Sequence, residues 1–87
     1  MSPSAGDAFL LYKTIFKDEL YALIKTPEHE RFHLTYKEKK IIRNNNDKMA
    51  EYAAQYYINK FGVDLDDKNL VQVAIDKTIR ETLRRFK

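Results

Sequence analysis

The hydrophobic positions of this chain recur at helical spacing, and the strict alternation typical of half-buried strands is missing. Between residues 8 and 25, one set of apolar side chains falls on a single side of a helix: Phe9, Tyr12, Phe16, Leu20 and Leu23. Asp7 precedes them and is suited to cap that helix. A second apolar strip holds Leu11, Ile15 and Ala22. We therefore predict a first helix that contacts neighbours on two sides or offers one strip to a partner.

Two start signals follow this helix. Thr26, Pro27 and Glu28 have the order of an N-cap, a first-turn proline and a first-turn acid, which predicts a short helix over about 27–33. Thr35 with Glu38 three residues later is a capping-box pattern and predicts the start of a third helix.

The end of the third helix is less clear from the sequence. The run from Asn44 to Asn46 either terminates it or is carried through, and we favour one long helix over about 36–61. One continuous stripe supports this choice: Ile42, Asn45, Met49, Tyr52, Ala53 and Tyr56. Gly62 followed by Val63 then has the form of a helix stop.

A final helix is predicted from a cap at Asp66 or Asp67 to about Phe86. Its apolar stripe contains Val71, Ile75, Ile79, Leu83 and Phe86. The sum is an all-α fold, a small helical bundle of three long helices, or four, plus one short helix. We expect a single helical domain over residues 1–87, with residues 1–6 as a flexible N-terminal tail.

Composition narrows the function classes. At 87 residues the chain has room for one core but little for an enclosed active-site cavity, so we expect no enzyme and no cofactor. It contains no cysteine, which removes disulfides and thiolate metal sites and is compatible with a reducing interior. No apolar run is long enough to cross a membrane. We expect an intracellular protein, cytoplasmic or nuclear, without a membrane partner.

One short motif suggests metal chemistry. His29, Glu30 and His33 match the pattern H-E-x-x-H, which resembles the zinc-binding motif of the zincin metallopeptidases. The resemblance implies that His29 and His33 bind zinc, that Glu30 is the general base, and that a third ligand comes from a nearby carboxylate. The carboxylates closest downstream are Glu38, Asp47 and Glu51. Because the predicted helix is short, we interpret the pair as surface histidines, predict no metal site or catalytic residue, and rank a metallopeptidase third.

Two basic clusters suggest a second class of function. On the last helix Lys77, Arg80, Arg84 and Lys87 project within about 80° of one another. A second cluster, Lys37, Lys39, Lys40 and Arg43, precedes the asparagine run. Such residues neutralise phosphates in nucleic-acid complexes. Acidic neighbours such as Asp76 and Glu81 also suit a solvated face with ion pairs along the helix, and the formal net charge is only +3.

Tyrosine is the remaining signal. The chain has six tyrosines and five phenylalanines, and Tyr52, Tyr56 and Tyr57 lie within two helical turns. Tyrosine is enriched at binding surfaces, although core packing explains it equally. The preferred hypothesis is a non-enzymatic module for protein–protein interaction or self-association. Its expected binding residues are Leu11, Ile15, Tyr52, Tyr56 and Tyr57. The alternative is nucleic-acid binding through the two basic clusters.

Overall fold

The computed structural model describes residues 5–25, 32–63 and 68–87. They form three helices, α1 (Ala5–Lys25), α2 (Tyr36–Phe61) and α3 (Lys68–Phe86), and no strand occurs among them. Helix α2 packs against both α1 and α3, and its pairing with α1 is the more extensive of the two. The all-α bundle predicted from the hydrophobic spacing is confirmed.

Helix α1 presents its predicted stripe to the core. Phe16, Leu20 and Leu23 are fully buried there, whereas Phe9 and Tyr12 are half-buried. The helix starts at Ala5, earlier than expected, so Asp7 lies in its first turn and does not cap the helix from outside. At this position the Asp7 carboxylate interacts favourably with the positive end of the helix dipole.

Helix α2 begins and ends where the sequence predicts. Thr35 caps it through the expected capping box, in which its side chain accepts from the Glu38 N–H at 3.1 Å and its own N–H donates to the Glu38 carboxylate at 3.0 Å. At the other end Gly62 donates its N–H to the Ile58 carbonyl at 3.0 Å and has a φ of 81°, a value that favours glycine.

The asparagine run bends α2 without ending it. Asn45 has φ −127° and ψ 21°, outside helical values, and its side-chain amide donates to the Ile41 carbonyl at 2.9 Å. The choice between one helix and two therefore resolves as one helix with a kink. A side chain that bonds a carbonyl of the preceding turn competes with the regular backbone pattern, which accounts for a bend at this position.

The buried face of α2 is rotated from the predicted stripe. Asn45, Tyr52 and Tyr56 are only half-buried. The buried positions are Ile42, Asn46, Met49, Ala50, Ala53, Ala54 and Tyr57. Three alanines in this set, Ala50, Ala53 and Ala54, let neighbouring helices approach closely. Only Ala53 of these belongs to the predicted stripe, which counted Tyr52 and Tyr56 as apolar instead.

Helix α3 buries two threonines that its apolar stripe does not include. Thr78 and Thr82 are fully buried, and their hydroxyls donate to the carbonyls of Ala74 and Thr78 at 2.7 Å. Each hydroxyl is thereby satisfied within its own helix, so the threonines fill core positions without stranding a polar group. Of the predicted stripe, Ile79 and Leu83 are buried, while Val71, Ile75 and Phe86 are half-buried.

Several expectations fall wholly or partly outside the described residues. The predicted short helix at 27–33 is one of them, although Phe32 and His33 are described and are not helical. The caps at Asp66 and Asp67 are also outside, as are residues 1–4 of the expected tail, whose residues 5 and 6 belong to α1. Within the described residues, none of the three helices is both long enough and apolar enough to cross a membrane.

Candidate functional site

A groove lies between α2 and α3. Tyr52 of α2 and the α3 residues Glu81, Arg84 and Arg85 line a depression of about 500 Å³. The Tyr52 ring meets Phe86 edge to face at 6.1 Å between centroids, which fixes its place between the two helices. We call this surface, together with the neighbouring Tyr56, the tyrosine–arginine groove.

The two tyrosines of the groove form a stacked pair. Their ring centroids are 6.4 Å apart and their planes differ by 21°, because positions four apart lie on one helix face. Tyr56 also contacts Phe61 edge to face at 6.5 Å, and its hydroxyl accepts a hydrogen bond from Lys60 Nζ at 3.1 Å. Both tyrosines are half-buried, so part of each side chain remains accessible from solvent.

Arg84 is held in place by Glu81. Its Nε donates to Oε2 at 3.1 Å and a terminal nitrogen donates to Oε1 at 2.9 Å, a two-pronged pair between residues three apart on α3. This hydrogen bonding, together with the charge of Glu81, raises the pKa of the Arg84 guanidinium above its ordinary value. The pair uses one edge of the guanidinium, and the Arg84 side chain remains largely exposed to an incoming ligand.

Arg85 adds a second cation to the groove. It is exposed and makes no ion pair with the carboxylates of the described residues. With Arg84 and Arg85 set against Glu81, the ionisable residues that line the depression carry a net single positive charge. Aromatic and arginine side chains together are the combination found most often at the energetic centres of protein interfaces.

Tyr57 is buried, whereas the sequence predicts it as a protein-binding residue at the surface. It is 1% exposed, and its ring lies 4.7 Å from Tyr12, 5.7 Å from Phe16 and 5.4 Å from Phe61. The burial has a simple cause: Tyr57 shares its side of α2 with small alanines, so α1 comes close enough to cover the ring.

The other expected protein-binding residues divide between two surfaces. Tyr52 and Tyr56 belong to the tyrosine–arginine groove. Leu11 and Ile15 are on α1, where Leu11 is 56% exposed and Ile15 is half-buried. The neighbouring Leu10 is 61% exposed, and it was not predicted as a binding residue because it lies on neither apolar strip.

The basic cluster on α3 is largely engaged within the chain. Lys87 Nζ lies 2.9 Å from Glu38 Oε2, and the Arg80 guanidinium lies 4.8 Å from the Phe32 ring centroid. With Arg84 on Glu81, three of its four members have partners in the fold, and Lys77 is exposed. The predicted ion pairing along the helix is thus found for Arg84.

The basic cluster on α2 is more open. Lys37, Lys40 and Arg43 are exposed, whereas Lys39 is half-buried. Tyr36, 77% exposed, precedes Lys40 and Arg43 by four and seven positions and so lies on their side of the helix. This exposed ring was not among the predicted binding residues, although a tyrosine in the first turn of a basic helix segment was a signal for it.

Only part of the H-E-x-x-H motif can be placed. His29 and Glu30 lie outside the described residues, and His33 is exposed in the segment before α2. The three carboxylates considered as a third ligand each contact a lysine: Glu38 pairs with Lys87, and Asp47 and Glu51 lie 3.3 and 3.2 Å from Lys13 Nζ. No group of three side chains suited to hold a metal occurs among the described residues.

A comparison of the chain with models of protein families, with curated proteins and with solved structures found no match.

Proposed function

We propose that this protein is a non-enzymatic binding module that takes an acidic segment of a partner protein into the tyrosine–arginine groove. The observation that carries the proposal is the depression in which Tyr52 stands beside Arg84 and Arg85. Its aromatic side offers apolar contact, and its two guanidinium groups offer charged donors to a carboxylate.

The state of each group supports this assignment. Phe86 packs against Tyr52, and Glu81 holds Arg84, so both side chains are ordered before a ligand arrives. Order in the free state lowers the entropy lost on binding. A single net positive charge suits a short acidic segment better than a polyphosphate backbone, whose affinity comes from many neutralised phosphates.

The test is a peptide-display selection on the full chain with random peptides as the probe. We expect the selected sequences to be enriched in Asp and Glu next to apolar residues. The same selection on a variant with Arg84→Ala and Arg85→Ala is expected to lose that enrichment, and Tyr52→Ala is expected to weaken the selected peptides by roughly tenfold or more. Selected peptides that carry no excess of acid, or that bind the double variant equally well, would overturn the proposal.

A matched control uses basic residues outside the groove. Lys40→Ala with Arg43→Ala removes the same formal charge from an exposed part of α2. This variant is expected to bind the selected peptides within about twofold of the parent, since surface charges away from a contact contribute little at moderate salt. Equal losses in both double variants would mean that net charge alone, and not the groove, governs the binding.

Nucleic-acid binding is the second candidate, and the exposed Tyr36 beside Lys40 and Arg43 favours it. Aromatic rings stack on bases while neighbouring cations contact phosphates. Particle mass measured at several salt concentrations, with and without generic DNA or RNA, tests it. Binding that weakens with salt and is lost on Tyr36→Ala supports this candidate, and its absence at low ionic strength excludes it.

A further inference from the structure

The outward face of α1 carries large apolar side chains that no other described helix covers. Leu10, Leu11 and Tyr21 are 61%, 56% and 40% exposed, and they are three of the five large hydrophobic side chains exposed among the described residues. Ala22 is exposed beside them, and Asp7 and Lys25 are exposed near the two ends of the same face. At about 100° per residue these six positions span one side of the helix, opposite the buried Phe16.

The order of residues on this face is self-complementary. Suppose that a second α1 lies antiparallel to the first and that the two-fold axis crosses the exposed face at the level of residue 16 along the helix. Residues of the two copies whose numbers sum to about 32 then lie at the same height. Asp7 then faces Lys25 of the second copy, on the midline of the face. Leu10 faces Tyr21 on one side of that line, and Leu11 faces the small Ala22 on the other. A parallel pairing instead places each charge opposite a like charge.

We propose that α1 is the self-association surface of this protein and that two copies pair through it in an antiparallel arrangement. An interface of this kind uses the same patch twice and closes as a dimer. The two-fold axis repeats every contact, so the dimer has an Asp7–Lys25 ion pair at each end of the interface. The contacts of Leu10 with Tyr21 and of Leu11 with Ala22 also occur twice and lie between these ion pairs. This surface is separate from the tyrosine–arginine groove, so the two proposals stand or fall independently.

The middle of the face is polar, and its chemistry fits burial in part. The Thr14 hydroxyl donates to the Leu10 carbonyl at 3.0 Å, so covering it strands no donor. Asp18 is the unfavourable element, because the two copies of this residue lie only about 6 Å apart along the helix axes, at 1.5 Å rise per residue. Acidic residues on the midline also disfavour an anionic membrane as the occupant.

The first experiment measures particle mass against protein concentration. A dimer is expected for the parent chain and a monomer for the variant with Leu10→Lys and Leu11→Lys. Val73→Lys, at an exposed apolar position on α3, is the matched control and leaves the dimer intact. A parent chain that stays monomeric at every concentration overturns the proposal. If this monomer binds anionic vesicles through Leu10 and Leu11, the face is a membrane contact and the proposal is overturned as well.

Charge variants test the pairing itself. Asp7→Lys alone is expected to raise the dimer dissociation constant roughly two- to tenfold, and Lys25→Asp added to it restores the parent value. Asp18→Asn is expected to tighten the dimer by removing the repulsion at the axis. No recovery in the double variant, or a weaker dimer with Asp18→Asn, contradicts the register.

Cysteine variants test the direction, because the chain has no cysteine of its own. In the antiparallel pair the two Thr14 residues lie near the axis, so Thr14→Cys is expected to form a disulfide between copies on mild oxidation. Two Leu11 residues are about 15 Å apart along the axes and Leu11→Cys is not expected to do so. Ready cross-linking of Leu11→Cys to itself indicates parallel helices and overturns the arrangement.

Discussion

The rings of Tyr12 and Tyr57 pack 4.7 Å apart, and they close the end of the bundle where α1 begins and α2 ends. Tyr12 also reaches past α2, where its hydroxyl donates to the Val63 carbonyl at 3.0 Å. One side chain near the start of the chain thus stabilises both the α1–α2 contact and the turn that follows Gly62. Its hydroxyl is partnered, whereas that of Tyr57 has no hydrogen-bond partner in the part of the chain described.

The hydroxyl of Tyr12 should therefore matter for stability. Tyr12→Phe keeps the ring contact with Tyr57 but removes the donor to Val63, and we expect the free energy of unfolding to fall by roughly 0.5–1.5 kcal/mol. Urea denaturation measures this loss. Tyr36→Phe, at an exposed position in the first turn of α2, is the control and should be close to neutral. Equal effects of the two substitutions would show that the bond to Val63 contributes nothing.

The pKa of Tyr57 predicts a loss of stability in strong base. Burial, with a contribution from Tyr12, raises the pKa of the Tyr57 hydroxyl from 10.0 to about 12. The neutral form is thus favoured in the fold, so this stabilisation is complete below pH 10 and is lost as the pH rises through 12. We expect one tyrosine to ionise last in a tyrosinate absorbance titration. Tyr57→Phe should remove that last step, and its persistence in the variant would assign it to another tyrosine.

Local signals predicted the helices well. The capping box at Thr35 and Glu38, the stop at Gly62 and the overall helical spacing depend on residues close in the chain, and each is found in the structure. Their success follows from physics that acts within one or two helical turns. The start of α1 was placed late because a first-turn acid and a capping acid have the same sequence pattern.

The candidate site was less accessible to sequence reasoning. Whether Tyr52, Tyr56 or Tyr57 reaches the surface depends on how closely α1 and α3 approach α2, which no spacing within α2 encodes. The alanines that let α1 approach Tyr57 lie close to it in the chain, yet the ring was expected at the surface. The groove itself joins Tyr52 to Arg84 across 32 positions of the chain, and only the packing of α3 on α2 brings them together.

Asn46 is a second buried polar group whose effect on stability is testable. It lies one residue after the kink at Asn45, and neither polar atom of its side chain has a hydrogen-bond partner within the described residues. An unsatisfied buried amide costs roughly 1–3 kcal/mol, so Asn46→Leu should raise the free energy of unfolding by roughly 1–2 kcal/mol. Asn44→Leu, exposed on the same helix, should change it little. A clear loss of stability with Asn46→Leu would instead reveal a polar partner such as a buried water.

The contact between the start of α2 and the end of α3 should make the fold sensitive to acid. The N–H of Thr35, followed by the Lys87 ammonium at 2.9 Å, lowers the pKa of the Glu38 carboxyl below its ordinary 4.5. The ionised form is favoured in the fold, so its contribution is present above pH 4.5 and is lost as the pH falls through the lowered pKa. Thr35→Ala should reduce the free energy of unfolding by about 1 kcal/mol at neutral pH, because the cap of α2 is removed.

Glu38→Gln separates the two roles of Glu38, since the amide oxygen of glutamine still accepts from Thr35 but carries no charge for Lys87. Urea denaturation from neutral pH to acid should show a smaller decrease for Glu38→Gln than for the parent. The ion pair of Lys13 with Asp47 supplies the matched comparison, because the pKa of Asp47 is also lowered and Asp47→Asn should reduce the acid dependence separately. An unchanged acid dependence in Glu38→Gln would mean that the end of α3 is not held to the start of α2 by charge.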